Sequence, residues 1–239
     1  IGAGLAAGRS PDDIEAAGRR LAVYRVVRRR GRFALFDSRP ILDRLVRDLG
    51  DPRIEDLPTP LGISAFDLVA GRPTLITHGR LVSALERSIA VPLFFPPCPD
   101  GDGVWCDAGP WEGVPVSLAR AWAPDDPVIG VWVDTPKPAF LASRYSAAFL
   151  RLVASRIATD AAIPTTRLTA RRYLALLAAR MADPVHREAP DLLIAPRLGL
   201  TGAWMFGRIG PMVERGERAA HEALARVEVG AAPASAHAA

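Results

Sequence analysis

Val104-Trp105-Cys106-Asp107-Ala108-Gly109-Pro110-Trp111-Glu112-Gly113-Val114-Pro115-Val116 reads as a short buried strand that delivers one carboxylate into a glycine-containing turn. A helix beginning near Pro115 then carries the chain away. A carboxylate at a strand end, followed by Ala-Gly, sits where backbone amides can approach it and no bulky neighbour intervenes. That pattern admits two readings. Asp107 is a functional carboxylate, or it caps the next turn as Asp does in many α/β proteins.

The flanking sequence supplies the scaffold. Val128-Ile129-Gly130-Val131-Trp132-Val133-Asp134 is a near-continuous apolar run, which predicts a strand covered on both faces. Leu61 to Leu68 and Thr74 to Thr77, separated by Ala70-Gly71-Arg72-Pro73, predict a hairpin. Gly79 to Ile89 predicts a short helix. The three prolines of Val91-Pro92-Leu93-Phe94-Phe95-Pro96-Pro97 predict a stiff, extended connection into the Asp107 strand.

Upstream, Ser10-Pro11-Asp12-Asp13 is a helix start: a capping serine, a proline at the first helical position and acids at the positive pole. That helix is expected to run to about Arg30 and stop at Gly31. A second follows Asp37 or Ser38, with Ile41, Leu42, Leu45, Val46 and Leu49 on one face and Gly50 at its end. Downstream, helices are expected within 139–183, a strand at Leu192-Leu193-Ile194, a closing helix from Met212 to about Val227, and a disordered tail over 230–239. Strands alternating with helices predict a three-layer α/β/α sandwich forming one domain over residues 1–229, with 139–183 as a helical cap or insertion.

Composition narrows the function. The 239 residues are 49% hydrophobic, yet no apolar run reaches the ~18 residues of a membrane span. Net charge is +4, and Lys137 is the only lysine. Nucleic acid is not an expected partner, because basic charge is not joined to aromatic or groove-reading elements. The dense cluster Arg25, Arg28, Arg29, Arg30 and Arg32 fits the solvated end of a helix, with anionic lipid headgroups as the second reading. Cys98 and Cys106 lack zinc spacing and are read as reduced thiols, and four scattered His form no metal pattern. No metal or other cofactor is expected. Gly2-x-Gly4-x-x-Ala7 matches a dinucleotide fingerprint on paper, but no acidic residue follows about twenty positions on. Small residues that let a helix pack closely on a sheet are the better account.

At this point the chain resembles the patatin-like phospholipases, from Ile1 to about Asp134. Gly4-Leu5-Ala6-Ala7-Gly8 is similar to the helix that follows the family's nucleophile elbow. Phe66-Asp67-Leu68 with Gly71-Arg72 is similar to its central hairpin. Gly79-Arg80-Leu81 through Ser88-Ile89-Ala90-Val91-Pro92, then Phe95-Pro96-Pro97, resembles the approach to its active site. Asp107-Ala108-Gly109, ending in Val114-Pro115-Val116, resembles its Asp-Gly-Gly/Ala segment, and weaker similarity continues through Ala189-Pro190-Asp191-Leu192-Leu193-Ile194.

The resemblance implies acyl-ester hydrolysis by a Ser–Asp dyad. A serine on a G-x-S-x-G turn attacks the carbonyl, the aspartate takes its proton, and a glycine-rich loop holds the oxyanion. It assigns the general base to Asp107 and the motif to Asp107, Ala108 and Gly109. The 239 residues contain no G-x-S-x-G, so the resemblance implies that the first strand and the elbow precede Ile1, and that this stretch alone is inactive. Ala108 stands where glycine is commoner and Gly113 where the family often has Asn. Phe94, Phe95, Trp105 and Trp111 are candidates for an acyl-chain pocket, and Trp204-Met205-Phe206 for an apolar patch on lipid. The expected partner is a lipid or small ester, met in the cytoplasm with peripheral membrane contact. A non-catalytic binding module on the same scaffold is the alternative.

Overall fold

Local sequence punctuation sets the elements. The computed structural model describes residues 1–20, 28–29, 36–92, 95–133, 188–198 and 209–230. Helix α1 (Gly2–Ala6) and α2 (Pro11–Arg20) open the chain, and the Ser10 hydroxyl accepts the Asp13 N–H at 3.1 Å while donating back to the Asp13 carboxylate at 2.8 Å. This reciprocal cap satisfies amides that a helix start leaves without partners. Gly4 is small for a reason: a Cβ there would come within 2.9 Å of Ile14, so α1 and α2 approach closely.

The expected helix to Arg30 is corrected. Arg28–Arg29 is a strand, β1, paired antiparallel with Phe36–Asp37, β2. Val23, Tyr24, Val26 and Val27 precede it in the sequence, and β-branched and aromatic residues favour extended backbone over helix. Helix α3 (Arg39–Leu49) starts after Ser38 and ends at Gly50, whose φ of 74° is the left-handed conformation that glycine adopts without steric cost.

Strands β3 (Ile63–Asp67) and β4 (Arg72–Ile76) form the expected hairpin, with Ile63 opposite Ile76 and Asp67 opposite Arg72. Asp67 caps its own turn: Oδ1 accepts the N–H groups of Val69 at 2.8 Å and Ala70 at 3.1 Å. Helix α4 (Leu81–Ser88), β5 (Cys98–Asp100), β6 (Gly103–Cys106) and α5 (Val116–Trp122) follow. The sheet order is β4-β3-β6-β5, antiparallel throughout. Strands β7 (Ile129–Val131) and β8 (Leu192–Ile194) form a separate parallel pair, and α5 reaches it through Arg120, which contacts Glu188 and Asp191. Helix α6 (Ile209–Gly230) closes the described chain. The architecture is α/β, as expected. The expected helices within 139–183, the Trp204-Met205-Phe206 patch and the 231–239 tail lie outside the described residues.

Two further expectations are corrected. Among the described residues β3 is covered on both faces, whereas the run at Ile129, Val131 and Val133 is not. Ile63 packs with Leu81 and Ala84 of α4 on one side, while Phe66 stacks on Trp111 on the other. Ile129, Val131 and Val133 are each more than half exposed. The small residues Ser64 and Ala65 lower the apparent hydrophobicity of β3, whereas the 128–134 run is apolar on the side that packing leaves open. The Val91–Pro97 connection is not extended throughout, because the Phe95 N–H reaches back to the Val91 carbonyl at 2.9 Å. Pro92 cannot donate a hydrogen bond, and its fixed φ suits the start of such a turn.

The core lies between α4 and the sheet, and α1 joins it through Ala3, which clusters with Ile54, Ile63, Leu81 and Ala84. Leu81 is completely buried, a contribution of about 2 kcal/mol for a leucine side chain. The segment before α4 is fixed by two acids. Asp51 Oδ1 accepts the Val82 N–H at 3.0 Å, a cap supplied from 31 residues away. Glu55 Oε2 accepts the Gly79 N–H at 2.8 Å, and Arg53 holds Oε1 at 2.7 Å. Its own backbone N–H and that of Gly79 lower the Glu55 pKa from 4.5 to about 2. A carboxylate depressed on folding stabilises the fold above its unfolded value and loses that effect as pH falls through the folded one. Urea midpoints are therefore expected to drop between pH 4.5 and about 2. Glu55→Gln should flatten that part of the profile, and an unchanged profile would show that other carboxylates carry it.

Candidate active site

Strand β6 carries alternating faces. Val104 and Cys106 are buried on the face of Phe66, which pairs with Cys106. Trp105, opposite Asp67, faces the other way, toward α4. The strand ends at Cys106, and the next N–H, that of Asp107, donates to the Ala90 carbonyl at 3.1 Å. Because β6 runs antiparallel to β3 from the Phe66–Cys106 pair, its continuation heads toward Ala65 and Ile63. Ile63 belongs to the same core cluster as Ala3 of α1. Asp107 thus leaves the sheet toward the end of β3 whose Ile63 shares that cluster with α1.

The turn holds the carboxylate by one oxygen. The Gly109 N–H donates to Asp107 Oδ1 at 2.6 Å, while Oδ2 has no hydrogen-bond partner among the described residues. Gly109 is required by closeness and not by a left-handed backbone: a Cβ there would stand 3.0 Å from Oδ1. Ala108 is buried, and its carbonyl accepts the N–H groups of Trp111 at 2.8 Å and Glu112 at 2.9 Å. Glu112 continues the chain of bonds by accepting the Ser117 hydroxyl at 2.8 Å and N–H at 3.3 Å, so it caps α5 directly after Pro115. Gly113 lies near Trp132, whose ring a Cβ would touch at 3.8 Å.

Electrostatics follow from this burial. Desolvation raises the Asp107 pKa above the ordinary 3.8, and the Gly109 N–H pulls in the opposite direction without cancelling it. Burial also raises the Cys106 thiol, with the Asp107 charge adding to it, so this sulfur stays protonated and is a poor nucleophile. Burial, with help from Glu86, pushes Cys98 up to about 11.

Trp105 and Trp111, two of the four aromatic candidates, lie on opposite faces of the sheet. Trp111 stacks on Phe66 with centroids 3.8 Å apart and planes 12° apart. Trp105 lies on the opposite face of the sheet, beneath the Arg87 guanidinium at 5.3 Å. Gly103 makes room for its indole, since a Cβ there would come within 2.6 Å of Nε1. Phe95 is buried, and Phe94 lies outside the described residues. Sequence reasoning did not find the Ala90 carbonyl, because a main-chain acceptor leaves no residue-type signal.

The close approach at Gly109 has a measurable consequence. Gly109→Val is expected to displace the carboxylate and weaken the hydrogen bond to Oδ1. The Asp107 pKa should then move higher still, read by a carboxylate-detected NMR titration. A downward or absent shift would show that the Gly109 N–H does not stabilise the charged form.

The sequence profile described as Patatin-like phospholipase matches residues 1–120, from α1 through the Asp107 turn and into α5. No curated protein matches the chain. The profile spans half of the 239 residues. The chain therefore belongs to the patatin-like phospholipase family, whose members are lipid acyl hydrolases.

Proposed function

We propose that Asp107 is the general base of a Ser–Asp dyad that hydrolyses a lipid or small acyl ester. The observation that carries this reading is a carboxylate held by Oδ1, with no partner for Oδ2 among the described residues, at the sheet end whose Ile63 shares a core cluster with Ala3 of α1. The 239 residues have no G-x-S-x-G turn, so the serine and the oxyanion loop are assigned to sequence before Ile1. On this reading residues 1–239 hydrolyse nothing by themselves, and residues 1–229 are part of one catalytic domain acting in the cytoplasm or at a membrane surface.

The chemistry uses Oδ2 twice. As the serine oxygen attacks the acyl carbonyl, Oδ2 takes the hydroxyl proton and then returns it to the departing alkoxide. Water attacks the acyl-serine while Oδ2 takes one of its protons, and Oδ2 returns that proton to the serine oxygen as the acyl–oxygen bond breaks, releasing the carboxylic acid and restoring the serine hydroxyl and the carboxylate. A carboxylate shifted upward by desolvation is a stronger base, which suits proton abstraction from a hydroxyl. Holding Oδ1 through a backbone N–H keeps the open oxygen in one orientation without a histidine. Trp111, stacked on Phe66, is the aromatic candidate nearest in sequence to the base after Trp105, and it offers a rigid apolar wall to an acyl chain.

The test uses the full-length protein and p-nitrophenyl butyrate. Asp107→Asn is expected to lower kcat by roughly 100-fold or more, the usual worth of a general base. In the wild type, the acid limb of kcat/KM should lie above pH 3.8, the ordinary carboxylate value. Undiminished kcat in Asp107→Asn would remove this residue from the mechanism.

A further inference from the structure

Helix α4 and the residues just after it grip β6 at two points that flank Cys106. One is the Ala90 carbonyl, which accepts the Asp107 N–H at 3.1 Å. The other is Arg87, three residues earlier, whose guanidinium lies over the Trp105 ring at 5.3 Å. Arg87 also pairs with Asp100 on β5 and donates to the Ser83 hydroxyl at 3.3 Å, so it links α4 to both strands of the β5–β6 hairpin. Its side chain is only 18% exposed. Arg87 Nε and Trp105 Nε1 are both buried and have no hydrogen-bond partner among the described residues. Burying two donors in this way is costly, so a well-packed stack must offset the loss.

We propose that Arg87 is a positioning residue for Asp107: by clamping Trp105 and the β5–β6 hairpin onto α4, it fixes the direction in which the next residues of β6 leave the sheet. This rests on the dyad reading of Asp107. A single attachment through Ala90 would let the strand end pivot, and two attachments on consecutive alternate residues prevent that. The effect is mechanical and not Coulombic. Asp107 is shifted by its burial and by the Gly109 N–H, whereas Glu86 and Arg87 of α4 act on Cys98. The planar guanidinium is needed because it stacks on the indole while its edge meets Asp100, a geometry that a lysine cannot reproduce.

Arg87→Met and Arg87→Lys are compared with wild type and Asp107→Asn in the full-length protein. Three quantities are read: kcat and KM on p-nitrophenyl butyrate, the acid limb of the rate profile, and the Asp107 titration by NMR. Both Arg87 variants should lower kcat about tenfold with KM little changed, since small misplacement of a reacting group acts on turnover. Both should also move the acid limb and the NMR midpoint of Asp107 to lower pH, as a loosened strand end admits water to the carboxylate. Arg87→Lys is the variant that keeps the cation, so its sharing the shift would exclude a purely electrostatic role. Lower melting temperature with wild-type kcat and an unmoved Asp107 midpoint would overturn the positioning role while leaving the dyad intact. An active Asp107→Asn would overturn the dyad itself, and the NMR midpoint would still report whether Arg87 orients this carboxylate.

Discussion

The 2.6 Å hydrogen bond from the Gly109 N–H to Asp107 Oδ1 decides what this site can do. It occupies one oxygen of a partly buried carboxylate and leaves the other open. A carboxylate saturated by backbone donors would be a weak base with a depressed pKa, and one without any donor would be free to rotate. One donor, set against desolvation that outweighs it, gives an oriented group with a raised pKa. The absence of a side chain at Gly109 is what permits the approach, because a Cβ would meet the same oxygen at 3.0 Å.

That arrangement depends on β3. Its two faces are covered by different elements, α4 against Ile63 and the Asp107 loop itself, through Trp111, against Phe66. The loop that carries the carboxylate therefore contributes to the core it stands on. Movement of the loop would expose Phe66 and Trp111, so aromatic burial holds the turn more firmly than its own hydrogen bonds do. The face of β6 opposite to Trp111 is set by Trp105 under Arg87, and the two tryptophans secure the strand from opposite sides.

The acids away from the turn have a different character. Glu55, Asp51 and Asp67 each accept backbone N–H groups from a neighbouring turn or helix start. They build the frame by fixing a neighbouring turn or helix start. Asp107 differs in that desolvation outweighs its single backbone donor and raises its pKa, which separates a candidate base from a cap even though all four residues punctuate turns.

Much of the frame was legible in the chain. The Ser10 cap, the hairpin about Gly71, Gly50 as a stop, Pro115 before α5, and the strand end at Asp107 are all local events, dictated by dihedral preferences and short-range hydrogen bonds that residue type encodes. Asp107 was identifiable because the Ala108-Gly109 sequel marks a tight turn. What tertiary structure alone decided is non-local. Arg28–Arg29 joined a strand pair and not the end of a helix. Which strand is buried on both faces went to β3, because coverage depends on what packs against a strand and not on its own hydrophobicity. Trp105 and Trp111 were parted because β6 and its following loop face opposite ways once the register with Phe66 is set. The Ala90 carbonyl and the raised pKa of Asp107 come from proximity and desolvation, physical quantities that exist only after distant segments have met.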